Sequence, residues 1–454
     1  MENYFDIIVI GGGFSGVASV YHLAKLSKQK NIKLKVAIIE PNQELGAGVA
    51  YSTKSINHIL NVRASMMSID SKDPNSFTTW MQQSDRNFKA SFFAPRKVYK
   101  KYLQDCLDNV LKTSASTFKL ERIQDSAVKI KTVDANSYEI VLNSEQSLFA
   151  KKIVLAIGNL PYRPKFFPIT DTETIPPPWN IETFPNHTKE VIILGAGLSA
   201  IDVMADFERK GYQGHYTIIS RHALLCEIHN EPPVPPPAET SRFVKENFLN
   251  KNNLLLLLKE FHRALREGHS WRYLIDAIRP DIEIIWSKLP HKDRLRFFRH
   301  LRVSWDTHRH RVPLQNWDMV SRLLGENRLS LLRGNIIKIE QSDKFSKVEY
   351  GSLKDQKKRS IKGEVIVNCL GLCPQLKFAE STLIHQLFLD NLATTEPLGM
   401  GLLTTDDGEL INCRQLTTRG IYTLGPLRRG ALFETIAVPE LKIQAERLAE
   451  LLTQ

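Results

Sequence analysis

The sequence has no apolar run long enough to cross a bilayer. Its longest, LLLLL at 254–258, stops far short of the roughly 20 residues that a spanning helix needs. It also lacks any run of five or six like charges, so the excess of 61 Lys and Arg over 49 Asp and Glu, a net +12, is dispersed rather than gathered into an arm for nucleic acid. Such an excess favours anionic partners, phosphorylated cofactors among them, and no nucleic-acid partner is expected. Cysteine is scarce. The five residues Cys106, Cys226, Cys369, Cys373 and Cys413 are odd in number and scattered, which argues against a disulfide framework and suits a reducing cytosol. The N-terminal run FDIIVI is too short for a signal core and follows Glu2 rather than a basic region, so it reads as a buried strand and the expected location is cytoplasmic.

What is present is ordinary globular material. With 42% hydrophobic and 24% charged residues the chain buries sizeable cores, and 454 residues predict two or three packed units.

In IIVIGGGFSGVASVYHLAKL (7–26), four apolar residues lead into Gly11, Gly13 and Gly16, after which apolar residues recur at helical spacing. Strand, tight turn and helix follow in order. Gly11 permits the turn, Gly13 lets the backbone approach a pyrophosphate, and Gly16 lets the helix pack on the strand, with Ser15 in the helix's first turn. The helix N-terminus offers free amides and a positive dipole end to phosphates. The next strand, KLKVAIIE (33–40), ends in Glu40, where a carboxylate accepts hydrogen bonds from ribose hydroxyls.

The same design recurs mid-chain. EVIILG (190–195) is the strand, Gly195 and Gly197 make the turn, Ser199 opens the helix and Ala200 replaces the third glycine. Here the following strand HYTIIS ends not in an acid but in Ser220 and Arg221, with His222 next. A guanidinium pairs with a ribose 2′-phosphate, so this exchange selects NADP over NAD. Two fingerprints of opposite ribose chemistry point to two cofactors, FAD at the first and NADPH at the second.

KKIVLAIGNLP (151–161, with Gly158) and GEVIVNCLGLCP (363–374) each run a strand into a glycine turn and a proline, like crossings between two domains. The expected fold is α/β, with two Rossmann-like three-layer domains, the second inserted into the first. Residues 1–165 form the first part of the FAD-binding domain, 166–364 the NADPH-binding domain with a helical insertion at about 232–325, and 365–454 the second part of the FAD domain.

GGGFSG, GAGVAYST (46–53), HILNVRASMMS (58–68), FAPRKVYKKYL (93–103), ISRHALL (219–225), WDTHRHRVP (305–313) and LGPLRRGALFETIAVPEL (424–441) carry a resemblance over nearly the whole chain. It resembles the FAD-NAD(P)-binding protein family of bacterial flavoproteins and, more distantly, the N-hydroxylating and Baeyer-Villiger flavin monooxygenases. The resemblance implies that Gly48, Tyr51 and Asn61 border the flavin. It also implies that the stretch from Gly430 forms a final helix aimed at the flavin pyrimidine edge, beside Thr435. Where broader relatives place Gly-Asp to hold the ribityl chain, this sequence has Gly425 and Pro426, with Glu434 as the substitute acid. Arg428 and Arg429 either meet phosphate or face solvent.

Candidate chemistry is sparse. Cys369 and Cys373 sit in the return strand and its turn, which argues against a thiol redox pair. His308 and His310 form a His-x-His without a third ligand, so no metal is expected. PPVPPP (232–237) reads as a stiff connector leading to helix-like stretches near 241–266, 271–279 and 291–303. RHLRVSWDTHRHRVP (299–313) ends them, and is either an exposed basic face or part of a substrate cavity in which Asp306 orients His308 while Arg309 and its neighbours hold an anionic substrate or the NADP phosphates. The leading expectation is a single-component monooxygenase acting on a small substrate with molecular oxygen. The alternatives are a dehydrogenase passing electrons to a quinone or protein, and a non-catalytic dinucleotide-binding module. The sequence is silent on oligomeric state.

Overall fold

The computed structural model describes residues 3–134, 136–167, 175–181, 184, 187–342, 344–352 and 357–454. The strands in chain order are β1 (Tyr4–Ile10), β2 (Leu34–Ile39), β3 (Phe118–Ile123), β4 (Ala127–Asp134), β5 (Ser137–Leu142), β6 (Ser147–Leu155), β7 (Glu190–Leu194), β8 (His215–Ser220), β9 (Leu329–Gln341), β10 (Ser346–Ser352), β11 (Lys358–Gly363), β12 (Val365–Asn368), β13 (Glu409–Ile411) and β14 (Thr417–Thr423). They sort into two sheets. The first runs β13-β14-β6-β1-β2-β3, with β5 pairing β6 and β4 pairing β5, and the second runs β11-β10-β9-β8-β7-β12. The second sheet is thus built from chain lying between β6 and β13.

The helices are α1 (Phe14–Lys30), α2 (Gly48–Tyr51), α3 (Ser76–Gln82), α4 (Arg96–Thr113), α5 (Leu198–Arg209), α6 (Ala238–Asn247), α7 (Leu254–Arg266), α8 (Trp271–Ile278), α9 (Ile282–Lys288), α10 (His291–His300), α11 (Arg302–Arg309), α12 (Leu314–Gly325), α13 (Thr382–Leu389), α14 (Arg429–Leu432) and α15 (Val438–Leu452). The central strand β1 is parallel to both β2 and β6. Its residues Ile7 to Ile10 are buried on both faces, as the unbroken apolar run requires of a parallel strand. One face carries α1, α4 and α15, which bury Val17, Leu103 and Leu448, while α13 and the β4–β5 hairpin cover the other through Ile130, Ile140 and Leu387. In the second sheet, β7, β8, β9 and β12 are parallel, and α5 and α12 pack Met204, Val320 and Leu323 against one face.

Three expected boundaries shift. β12, placed after the return crossing by the 365 boundary, pairs in parallel with β7 and so belongs to the second sheet. The helical insertion ends before 325, because α12 is a layer helix of that sheet rather than part of the insertion. The final helix starts at Val438 instead of near Gly430, since Phe433 interrupts the segment with φ +66° and ψ −68°. The insertion proper, α6 to α11, forms its own core around Phe248, Leu274, Trp286 and Phe297, and that core is completed by Leu398 and Phe433 from the chain after β12.

Candidate functional site

The two glycine turns have the same construction. Gly11 follows β1 with φ +105°, and a Cβ there would lie 2.4 Å from the Ala156 carbonyl oxygen; Gly195 follows β7 with φ +100° and would meet the Cys369 oxygen at 2.3 Å. In each case the chain turns hard against the end of the neighbouring parallel strand, and only glycine fits. Each turn opens a helix, α1 after Gly13 and α5 after Gly197, without a side-chain cap or an acid in the first turn. Both N-termini therefore keep their amides and positive dipole ends for a phosphate.

Around the first turn the structure gathers residues from distant parts of the chain. The Gly12 amide donates to Glu40 Oε2 at 2.7 Å, which holds the carboxylate at the end of β2. Gly13 and Gly48 face each other so closely that a Cβ on Gly48 would lie 3.1 Å from Gly13 Cα. Ser15 abuts Gly425, whose amide donates to Gln444 Oε1 at 2.9 Å, and Gln444 Nε2 donates to the buried Thr435 Oγ1 at 2.7 Å. Gly158 follows β6 with φ +67° and open space on its Cβ side. Tyr51 lies three residues past Gly48, at the end of α2. It is buried in the α-helical core, edge-on to Tyr99 at 4.9 Å, and burial pushes its hydroxyl pKa up to about 12.

At the second turn, Ser220 ends β8 and its Oγ accepts from the Ala223 amide at 2.9 Å. Arg221 follows on the surface, and β9 sets Arg333 directly opposite Ser220 in the parallel register. Partial burial, then the guanidiniums of Arg221 and Arg333, hold the His222 imidazole below its ordinary range. Arg333 is a second cation beside the end of β8 that the sequence did not reveal, because its neighbour there is set by strand register across more than a hundred residues.

The two sheet units are fastened by a polar seam. Arg96 at the start of α4 donates to Asp202 on α5 at 3.0 Å, Asn57 Nδ2 donates to Asp206 at 3.1 Å, and Arg209 donates to the Asn57 carbonyl at 3.1 Å. Burial raises the Asp202 carboxyl despite the Arg96 charge. On the far side His229 Nε2 donates to the Asn61 carbonyl at 3.0 Å, and Arg63 pairs with Glu231 at 3.1 Å. Asn61 thus lies in the seam.

The proposed catalytic trio separates. On α11 a side chain faces those three or four residues away, so Asp306 reaches Arg302 at 2.5 Å and His310 at 3.8 Å, whereas His308, two residues on, turns to Trp271 and donates to the Ser304 carbonyl. Arg309 is buried and pairs with Glu434 at 3.3 Å, and Arg311 with Asp276 at 2.9 Å. Arg302, Arg309 and Arg311 are thus committed to carboxylates rather than to an exposed basic face or an anion clamp, while Arg299 stays exposed. Burial alone would raise the Glu434 carboxyl, but the Arg309 guanidinium and the hydrogen bond from Trp305 hold it below its ordinary value. Burial and the Arg309 charge push His310 down to about 4, so the ring is neutral at physiological pH. Arg428 and Arg429 are likewise buried, donating to the Asp406 carbonyl at 2.8 Å and the Cys373 carbonyl at 2.6 Å, so neither faces solvent. Cys369 and Cys373 are free and buried, and burial raises both thiols. Among the described residues no group of three or more His, Cys, Asp or Glu is arranged to hold a metal, and no helix is long and apolar enough to cross a membrane.

Glu434 is delivered by a γ-turn. Its amide donates to the Leu432 carbonyl at 2.9 Å across Phe433, the rare and strained form of this turn. The Phe433 ring stacks on Trp286 at 4.5 Å, Trp286 Nε1 donates to the Gly430 carbonyl at 2.9 Å, and Trp305 Nε1 donates to Glu434 at 2.8 Å. A wall of Trp286, Phe297, Phe298, Trp305 and Phe433 therefore joins the insertion to the segment between β14 and α15.

Residues 8–160 match the family model described as FAD-NAD(P)-binding, so the first sheet unit carries an FAD-NAD(P)-binding domain. No curated protein matches the chain. Its fold is that of two-domain flavoproteins. The chain is similar to the ornithine hydroxylase PvdA of Pseudomonas aeruginosa in its reduced form, at 14% identity over 99% of both chains with a TM-score of 0.66. It is similar to the ornithine N-hydroxylase KtzI of Kutzneria sp. 744, described with reduced FAD, NADP+ and L-ornithine, at 12% identity over 99% of both chains with a TM-score of 0.66. It is also similar to the bacillithiol disulfide reductase Bdr (YpdA) of Staphylococcus aureus, at 13% identity over 99% of this chain and 98% of that one with a TM-score of 0.55.

Proposed function

We propose that the protein is an FAD- and NADPH-dependent oxidoreductase acting as a single-component monooxygenase, which hydroxylates a nucleophilic nitrogen or inserts oxygen into a small substrate. One observation carries the reading. The parallel strands β1 and β7 each run into a glycine turn and an uncapped helix N-terminus, with opposite charge at the two proposed ribose positions: Glu40 at the first, Arg221 and Arg333 at the second.

The residues fit the two groups. Gly13 and Gly48 leave no side chain between the first turn and the facing loop, so a pyrophosphate can lie against bare backbone at the start of α1. Glu40 would hold the FAD ribose, and Ser220, Arg221 and Arg333 the 2′-phosphate of NADPH. When bound, FAD supplies hydride acceptance and reaction with molecular oxygen. The chain's own part is to orient and to exclude water. The Arg96–Asp202 and His229–Asn61 contacts set one sheet unit against the other, and the aromatic wall around Phe433 closes the insertion side. Glu434 is a positioning residue that ties Arg309 and Trp305 to the segment before α15. The fold similarity to two ornithine hydroxylases supports monooxygenation, and the buried cysteines weigh against thiol chemistry.

The test is anaerobic reduction of the FAD-loaded protein by NADPH and by NADH, followed by oxygen uptake with a panel of amines and ketones. Reduction by NADPH far faster than by NADH, with product formation coupled to oxygen uptake by one substrate class, is expected. Reduction with electrons passing only to an added quinone would replace the reading by a dehydrogenase. Failure to bind flavin would leave a nucleotide-binding module.

A further inference from the structure

The face of the second sheet that turns away from α5 and α12 is apolar through Ile192 and Leu194 on β7, Ile219 on β8 and Leu332 on β9. At the N-terminal ends of the same strands it turns polar. Side chains two residues apart share a face, so Glu190 on β7, His215 and Thr217 on β8 and Ser330 on β9 continue that surface past the core. Strand register sets them side by side, with Glu190 opposite His215 and Thr217 opposite Ser330. Gly195 follows the other end of β7, five residues from Glu190, which puts this cluster roughly 16 Å from the second glycine turn.

Three of these side chains are hydrogen-bonded in a row. Ser330 Oγ lies 3.0 Å from His215 Nε2, and His215 Nδ1 lies 2.9 Å from Glu190 Oε2. A carboxylate only accepts, so Nδ1 carries the proton and donates to Glu190, which leaves Nε2 bare to accept from the Ser330 hydroxyl. The other Glu190 oxygen, Oε1, is buried and has no hydrogen-bond partner among the described residues. Stranding a buried acceptor lowers stability, and what it keeps in place is a full negative charge against the imidazole. The His215 and Glu190 side chains are 31% and 25% exposed and Ser330 is half-buried, so a small molecule can reach the row from solvent.

We propose that Ser330, His215 and Glu190 form a second catalytic site, independent of the two cofactors, that transfers acyl groups from small esters to water. Nucleophile, base and orienting acid stand in the order that activates a serine hydroxyl. Ser330 Oγ forms a bond to the acyl carbon of the ester as its proton passes to His215 Nε2, and Glu190 stabilises the imidazolium that results. The imidazolium gives that proton to the departing alcohol oxygen as the ester bond breaks, leaving an acyl group on Ser330. Water, deprotonated by the same Nε2, then attacks the acyl carbon, the carboxylic acid leaves and Ser330 recovers its proton. The cycle consumes no oxidant or reductant.

The test uses the full-length, FAD-loaded protein and p-nitrophenyl acetate. A burst of p-nitrophenol stoichiometric with protein is expected, with the acetyl group found on Ser330 by peptide mass spectrometry. Ser330→Ala should abolish that label, Ser330→Cys should retain it, and His215→Gln or Glu190→Gln should slow acylation at least about a hundred-fold. Flavin content and reduction by NADPH should be unchanged in Ser330→Ala, which verifies that the variant is folded and separates this site from the oxidoreductase reading. Acetylation of lysines alone, no burst from the wild-type protein, or undiminished acylation of Ser330 in His215→Gln would each overturn the proposal.

Discussion

Arg96 on α4 and Asp202 on α5 meet at 3.0 Å, and this pair links the first turn of a helix on one sheet unit to the cofactor-facing helix of the other. Asp202 is buried, so its charge depends on the arginine. Arg96→Ala should cost about 3–5 kcal/mol by stranding that carboxylate, and Arg96→Ala with Asp202→Asn should recover most of it. The carboxyl already titrates above its ordinary value, and without Arg96 it will titrate higher still. A raised acid favours the folded state at low pH and loses that contribution as pH rises, so the single variant's deficit in urea unfolding should shrink on acidification.

Gly11→Ala and Gly195→Ala should separate the two cofactors. Each forces a Cβ to within 2.4 Å of a carbonyl oxygen at a φ that alanine resists, a strain of about 1–3 kcal/mol before any backbone shift. Gly11→Ala should lower the flavin-to-protein ratio, whereas Gly195→Ala should keep flavin and lose reduction by NADPH. Equal loss of both cofactors in both variants would contradict the assignment.

In the proposed reading, Arg221 and Arg333 at the second turn set the preference for NADPH. Replacing Arg221 and Arg333 by alanine should remove charge-assisted hydrogen bonds worth roughly 1.5–3 kcal/mol, raising KM for NADPH about ten- to a hundred-fold and leaving NADH nearly unchanged. Arg333→Ala alone should show part of the effect.

His229 contributes a pH dependence of the opposite kind. Burial pushes it from 6.5 down to about 4, so the unfolded chain takes up a proton in that window while the folded one does not. Stability should therefore fall as pH drops from about 6.5 toward 4, by up to about 1.4 kcal/mol per pH unit for this group. His229→Gln should flatten that slope in chemical denaturation.

Trp286 is 1% exposed and joins the insertion to the Phe433 turn. Trp286→Ala should cost about 3–5 kcal/mol, and limited proteolysis should then cut first within 238–309 while both sheets survive.

The parts of the fold written in local pattern were readable in the sequence. Gly11 to Gly16, Glu40, Gly195, Gly197 and Arg221 announce themselves within one strand, turn and helix each. Arg333, Gln444 and Asp202 do not, because each reaches its neighbour through register or domain packing. The motif WDTHRHRVP puts His308 forward beside Asp306, yet the spacing of Arg302, Asp306 and His310, four residues apart in turn, marks one helix face and selects His310 instead. The γ-turn at Phe433 has no sequence signature, since a bulky aromatic stands at a positive φ where glycine would have marked the turn.

The insertion's borrowed core has a consequence for engineering. Residues 238–309 do not enclose their own apolar interior, for Leu398 and Phe433 close it from more than eighty residues downstream. Grafted onto another two-sheet scaffold, the helices would arrive with an open seam. The transferable module is the helices together with the stretch from 396 to 434, and a chimera that moves one without the other should be recovered only as aggregate.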